Sequence, residues 1–186
     1  MVINITGVIS SQADKLENER MYGECYTPVM LHNALKAITG DTVHITLDTV
    51  GGCVESAFQI FNALRATKKR IILTAIKAHS AGTIIMLAGD ERIVLNGSEA
   101  LVHLPWSTLS MDVNSRILGE LYDMFRKEDL RVFDFYCKQL HLTEDQRVSL
   151  WAAYESETVL TASQLLKYGF ATKISNDKSV RHNVSA

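Results

Sequence analysis

The chain has 186 residues, 47% of them hydrophobic and 22% charged, with a formal net charge of −2. That length fits one domain with a real core, and the near-neutral charge removes the electrostatic case for a nucleic-acid partner. Three cysteines without metal-ligand spacing, no apolar run long enough to span a bilayer and no signal-peptide pattern point to a cytoplasmic protein in a reducing compartment.

Val2 to Ile9 alternates weakly and predicts a first strand, followed from Ser10 to Cys25 by a charged stretch without periodicity, expected as a surface loop or flap. Thr27 and Pro28 predict a helix start, because threonine caps and proline at the first helical position lacks an amide that has no partner there; Gly40 marks the end, giving a helix over 28–39. Val43 to Asp48 predicts a strand and Gly51-Gly52 a tight turn. Val54 to Ala66 predicts a helix with Val54, Ala57, Phe58, Phe61 and Leu64 on one face. Arg70 to Ile76 is a β-branched run, expected as a buried strand after the solvated Lys68-Lys69-Arg70 entry, and Ser80 to Ala88 is expected as a buried helix. Alternating strands and helices imply parallel βαβ units and an α/β fold.

Glu91–Leu95 and Glu99–Leu104 predict two short strands joined through Asn96-Gly97, a strong hairpin signal, with His103 ending the second. From about Ser110 to Leu140 apolar residues recur at helical spacing around Gly119. A helix of about thirty residues spans roughly 45 Å, against a radius of gyration of about 16 Å for a domain of this size. It should therefore protrude or run along an edge, and its apolar residues on more than one side point to contact with another subunit. Thr143 with Gln146 and Thr161 with Gln164 are capping boxes, the first opening a helix to about Tyr154 and the second a short helix ended by Gly169. Residues 1–174 are read as a single domain, and the polar sequence over 175–186 as a disordered tail.

Ser80 lies at a strand-to-helix junction, where helix amides without intrahelical partners suit an oxyanion; the plainer reading is an N-cap. A serine nucleophile also needs a base, a group to orient it and oxyanion donors. His103 can supply the base, and Gly51-Gly52 a bare backbone close to a ligand. One arrangement takes Ala78-His79-Ser80-Ala81-Gly82 as a near nucleophile elbow of a small α/β-hydrolase esterase. That fold requires a histidine after the acid, and only His141 and His182 follow; His79, adjacent to the serine, is read as a packing or loop residue. No cofactor or metal is expected, since Gly51-Gly52 is no phosphate loop and no ligand cluster appears.

The segments A-x-S-A-G-T-I-I-M-L-A-G-D and V-H-L-P-W, preceded by G-G-C-V-E-S-A-F-Q-I-F-N-A-L, resemble the Clp protease proteolytic subunit family, particularly its phage and prophage members, over about Val2 to Ile174. The resemblance implies a ClpP/crotonase-like αβ spiral fold, a heptameric ring that is often doubled, and proteolysis within a closed chamber. By position it puts the nucleophile on Ser80, the base on His103 and the oxyanion donors on the amides of Gly52 and Ala81. Peptide is then expected as an added strand beside Gly52, Cys53 and Val54 and beside Pro105 and Trp106. The long helix corresponds to the family's handle. The chain departs from the family pattern at D-T-V-G-G (Asp48 to Gly52), at Ile76, and at the third catalytic position, which falls on Glu157 where aspartate is usual. The chain begins close to its first strand, without the family's axial segment, so an AAA+ unfoldase partner is left open beside a self-contained ring that cleaves phage assembly proteins. A ring that has lost catalysis and serves as an assembly scaffold is the non-enzyme alternative.

Overall fold

A computed structural model describes residues 1–176. The expected tail from 177 onward, and with it His182, lies outside the described residues. The described residues fall into two compact units, Met1–Val102 together with 159–176, and His103–Thr158.

The first unit is built on a sheet ordered β2-β1-β3-β4-β5-β6, with β7 also on β5. Its strands are β1 (Val2–Ile9), β2 (Cys25–Tyr26), β3 (Thr42–Gly52), β4 (Arg70–Ala78), β5 (Glu91–Val102), β6 (Thr158–Thr161) and β7 (Lys173–Ser175). The pairs β1–β2, β1–β3, β3–β4, β4–β5 and β5–β7 are all parallel. Parallel neighbours need crossover connections. Those between β3, β4 and β5 are α3 (Val54–Ala66) and α4 (Gly82–Met86), while α2 (Pro28–Lys36) leads into β3. Ile5, Ile45, Leu47, Leu73, Ile60, Leu64 and Ile85 are buried and form the centre of this core. As expected, Thr27 caps α2, its hydroxyl accepting from the Met30 amide. The basic strand entry is paired: the Lys69 ammonium donates to the Gly40 carbonyl, and Arg70 lies 3.0 Å from Glu91.

Four local expectations are corrected. The stretch after β1 is not all loop, for α1 (Lys15–Tyr22) lies within it; it buries no residue, so it leaves no periodicity in the sequence. Gly51 and Gly52 are no turn but the last residues of β3, paired with Val8 and Ile9 across a shift of register. Asn96-Gly97 joins no hairpin, because β5 is one strand from Glu91 to Val102. Ala75 pairs with Val94 and Lys77 with Glu99, so five steps along β5 face two along β4. The excess bulges out, and the buried Ser98 hydroxyl closes the gap, donating to the Ala75 carbonyl at 2.6 Å and accepting from the Leu95 amide at 2.8 Å. Finally, the helix expected over 80–88 shrinks to the five residues of α4.

In the second unit, 103–114 carries no regular structure and leads into α5 (Ser115–Leu140), one continuous helix of 26 residues. The Asn114 side chain caps it, accepting from the Arg116 and Ile117 amides. Its buried residues, Asp129, Val132, Phe133 and Tyr136, all lie in its second half. There Phe133 meets Trp151 of α6 (Glu144–Glu155) edge-on at 4.7 Å and Tyr136 meets Tyr154 at 6.0 Å. Both capping boxes form, at Thr143–Gln146 and at Thr161–Gln164, the second opening α7 (Ala162–Tyr168) in the first unit. No helix among the described residues is long and apolar enough to cross a membrane.

Candidate active site

Ser80 sits in the turn between β4 and α4 with φ +54. A side chain at positive φ crowds its own backbone, at a cost of about 1–2 kcal/mol, and persists only where the surroundings impose it. Here the sources can be named. The His79 amide donates to the Thr49 carbonyl at 3.1 Å, the Ser80 amide to Leu101 at 2.8 Å, and the Thr83 hydroxyl to the Ser80 carbonyl at 2.6 Å. Ser80 is thus not the N-cap of α4: Ala81 holds that position, and no side chain caps the helix. Among the described residues no backbone carbonyl accepts from the Ala81 amide, whereas the amides of Ser80, Gly82 and Thr83 are all engaged. Among the described residues of its unit the Ser80 hydroxyl has no hydrogen-bond partner, and Ser80 is half-buried. A hydroxyl on a strained turn beside a free amide is the local geometry that a nucleophile with one oxyanion donor requires.

The end of β3 frames this turn. A Cβ on Gly51, at φ +90, would stand 2.6 Å from both the His79 carbonyl oxygen and the Ser80 Cβ, so the strand end and the serine turn touch only because that side chain is missing. Gly52, at φ +137, is bare for another reason: its Cβ would lie 2.2 Å from the Ile9 carbonyl oxygen of β1. Gly52 is exposed. Cys53 and Val54 are half-buried where β3 passes into α3, with the Cys53 amide donating to Ile9 at 2.8 Å.

Sequence reasoning missed Thr49. It is buried, its hydroxyl donates to the Gly7 carbonyl at 2.6 Å and accepts from the Gly51 amide at 3.0 Å, and its carbonyl holds His79. One threonine thereby ties β1, the glycine pair and the serine turn together. The available signal was the departure D-T-V-G-G itself, which puts a β-branched hydroxyl two residues before the first glycine. Glu99 was also missed: its carboxylate lies 3.1 Å from His79 Nε2. His79 is the local residue the sequence suggested, now with a partner. Burial pulls its pKa below the ordinary imidazole value, and Glu99 opposes the shift only in part.

His103 is the first residue of the second unit, half-buried and directly after β5. Pro105 follows half-buried and Trp106 is 74% exposed. Glu157 lies exposed in the turn between α6 and β6 at φ +49. No hydrogen bond joins His103 to Glu157. Among the described residues only Ser80, His141 and Glu157 are non-glycine residues at positive φ. His141 is accounted for as the left-handed C-cap of α5. Glu157 directly follows Ser156, the C-cap of α6, and so ends that helix in the same left-handed way. Ser80 ends no helix, and it is the residue to which the resemblance assigned the nucleophile.

A parallel sheet with a strained serine at a strand-to-helix turn and a bare glycine strand beside it agrees with the ClpP/crotonase-like αβ fold that the resemblance implied. A solved structure of a ClpP1 mutant from Listeria monocytogenes shares this fold with a TM-score of 0.71 at 17% identity, covering 96% of this chain and 92% of the other. The Clp protease family profile matches residues 23–178, so the chain belongs to the Clp protease family, a family of peptidases. It is also similar to the ATP-dependent Clp protease proteolytic subunit 2 of Pseudomonas aeruginosa, with 27% identity over 146 residues that cover 75% of this chain and 69% of that one. The α/β-hydrolase alternative, with His141 or His182 as base, does not belong to this fold.

Proposed function

We propose that the protein is a serine endopeptidase of ClpP type in which Ser80 attacks the peptide carbonyl, His103 takes its proton as general base, and Glu157 orients the imidazole. The amides of Gly52 and Ala81 receive the oxyanion, and the peptide lies extended beside Gly52, Cys53 and Val54 and beside Pro105 and Trp106. The observation that carries this reading is the serine turn itself: Ser80 is held at φ +54 by bonds to Thr49, Leu101 and Thr83, where no helix end explains it. The free Ala81 amide and family membership support the same reading. Further parts of the proposal are a single domain over 1–174, a heptameric ring, single or stacked in pairs through α5, and phage assembly proteins as substrates, with an AAA+ unfoldase as a partner to be tested. Exposed Leu118, Tyr122 and Met124 on α5 favour assembly.

Labelling with a fluorophosphonate tests the assignment. Wild type is expected to take up one label per chain at Ser80, whereas Ser80→Ala takes up none and His103→Ala loses labelling about as completely, since members of one catalytic unit are non-additive. Equal labelling of wild type and Ser80→Ala would overturn Ser80 as the nucleophile, whereas a wild type that takes up no label would favour the assembly scaffold.

A further inference from the structure

The Ser80 turn is held by main-chain bonds, by Thr49 and Thr83, and, between side chains, by the 3.1 Å bond from His79 Nε2 to Glu99 Oε1. His79 immediately precedes Ser80. Glu99 stands on β5 opposite Lys77, at the point where the bulge ends and pairing with β4 resumes. Two residues further along β5, Leu101 accepts the Ser80 amide. The side-chain bond and the Ser80–Leu101 bond thus clamp the turn to the same stretch of strand on the N-terminal side of the serine's Cα, while the Thr83 hydroxyl holds the Ser80 carbonyl on the other side. Removing the side-chain clamp takes away one of the restraints that oppose relaxation toward negative φ, which the strain at Ser80 favours.

We propose that His79 and Glu99 are a positioning pair for Ser80, holding the serine turn in its left-handed conformation so that the hydroxyl and the Ala81 amide keep the geometry needed for attack. This inference rests on the reading of Ser80 as nucleophile. The pair touches no reacting atom and acts through the backbone. The charged groups facing His79 are Glu99 on β5, Lys77 on β4 and Asp48 on β3; α4, with the sequence G-T-I-I-M, contributes none. With neutral His79 the bond is an imidazole N–H donating to a carboxylate. When His79 protonates it becomes an ion pair and strengthens. A glutamine at position 99 keeps an acceptor oxygen but loses that gain.

The test uses the full chain as wild type, His79→Ala, Glu99→Ala, the double variant and Glu99→Gln. Fluorophosphonate labelling rates are followed across pH, with peptide kcat and KM measured in parallel. Each alanine variant is expected to lose about tenfold in labelling rate and kcat with KM unchanged, as suits a lost bond that only orients. The double variant is expected to be no slower than either single one. Glu99→Gln should keep most of the wild-type rate at pH 8 and fall behind it only once pH is below 6.5, the ordinary imidazole value, because burial holds the His79 pKa under that value. Wild-type rates in the single variants, additive losses in the double, or a ratio of Glu99→Gln to wild type that ignores pH would overturn the pair while leaving Ser80 as nucleophile. Label found elsewhere than Ser80 in wild type overturns both. Should His79→Ala fail to fold, the two Glu99 variants decide, because that side chain is 45% exposed.

Discussion

A serine held at φ +54 by its neighbours carries strain that glycine would not feel. Ser80→Gly is therefore expected to raise unfolding stability by about 1 kcal/mol over Ser80→Ala, read from urea midpoints, while both abolish labelling. Equal stability of the two variants would mean that the turn relaxes at no cost. Gly51→Ala should act in the opposite sense. Its new Cβ would meet backbone at 2.6 Å on a residue at φ +90, so a loss of about 2–4 kcal/mol and of all labelling is expected. Glu157 gives a graded test at the same scale. If its carboxylate accepts from His103, Glu157→Gln should lower turnover by about 10² to 10³, less than the roughly 10⁴ known for loss of such an orienter. Glu157→Asp should also lose activity, since the shortened side chain starts from a backbone adapted to glutamate. Wild-type turnover in Glu157→Gln, with an unchanged acidic limb of the pH profile, would leave a Ser80–His103 dyad.

At the scale of the element, α5 is two helices in energetic terms. Its second half is a core element, with Phe133 and Tyr136 locked against Trp151 and Tyr154. Within this half Asp129 is only 7% exposed, and Tyr154 donates to its backbone carbonyl at 3.4 Å. Burial holds the Asp129 carboxyl above its ordinary value, Arg126 offsets part of the shift, and Glu128 and Glu155 add to it. A carboxyl with a raised folded pKa binds its proton more tightly folded than unfolded, so it weakens the fold above that pKa and is neutral in effect below 3.8, its ordinary value. Asp129→Asn is thus expected to melt higher than wild type at pH 7, with the difference shrinking as pH falls toward 4. A constant difference across that range would assign the effect to packing instead. The first half of α5 buries nothing, and its Asn114 cap and Arg116–Glu120 pair at 2.6 Å are local supports.

For the whole molecule, this division tells which residues can test assembly. Phe133 is buried against its own chain, so charging it would unfold the second unit rather than divide an oligomer. Leu118 and Tyr122 are 55% and 67% exposed in the first half of α5. Leu118→Asp with Tyr122→Asp is expected to move the sedimentation profile to smaller species with the secondary structure intact, and peptidase activity should fall with it if the site depends on assembly. An unchanged profile would remove α5 from the assembly contact.

Patterns within one element were legible in the chain alone: β1 to its last residue, α2 from its Thr27 cap, α3, both capping boxes and the body of the long helix. Each is dictated by periodicity or by a side chain bonding three residues away, and both survive without knowledge of the partner. The family was legible too, because its motifs are contiguous. Asn96-Gly97 shows the limit. The same pair serves a hairpin or a bulge, and only the pairing of β5 with β4, on the far side of α4, chose the bulge. Gly51-Gly52 likewise reads as a turn until β1 is known to lie beside it. The conformation of Ser80 was decided still further away, by Thr49, Gly51 and Leu101 acting through space, and the His79–Glu99 bond depends on the register that the bulge sets. Local propensity determined which elements form; tertiary contact determined the one dihedral on which the proposed chemistry turns, because a strained backbone exists only where several distant groups impose it together.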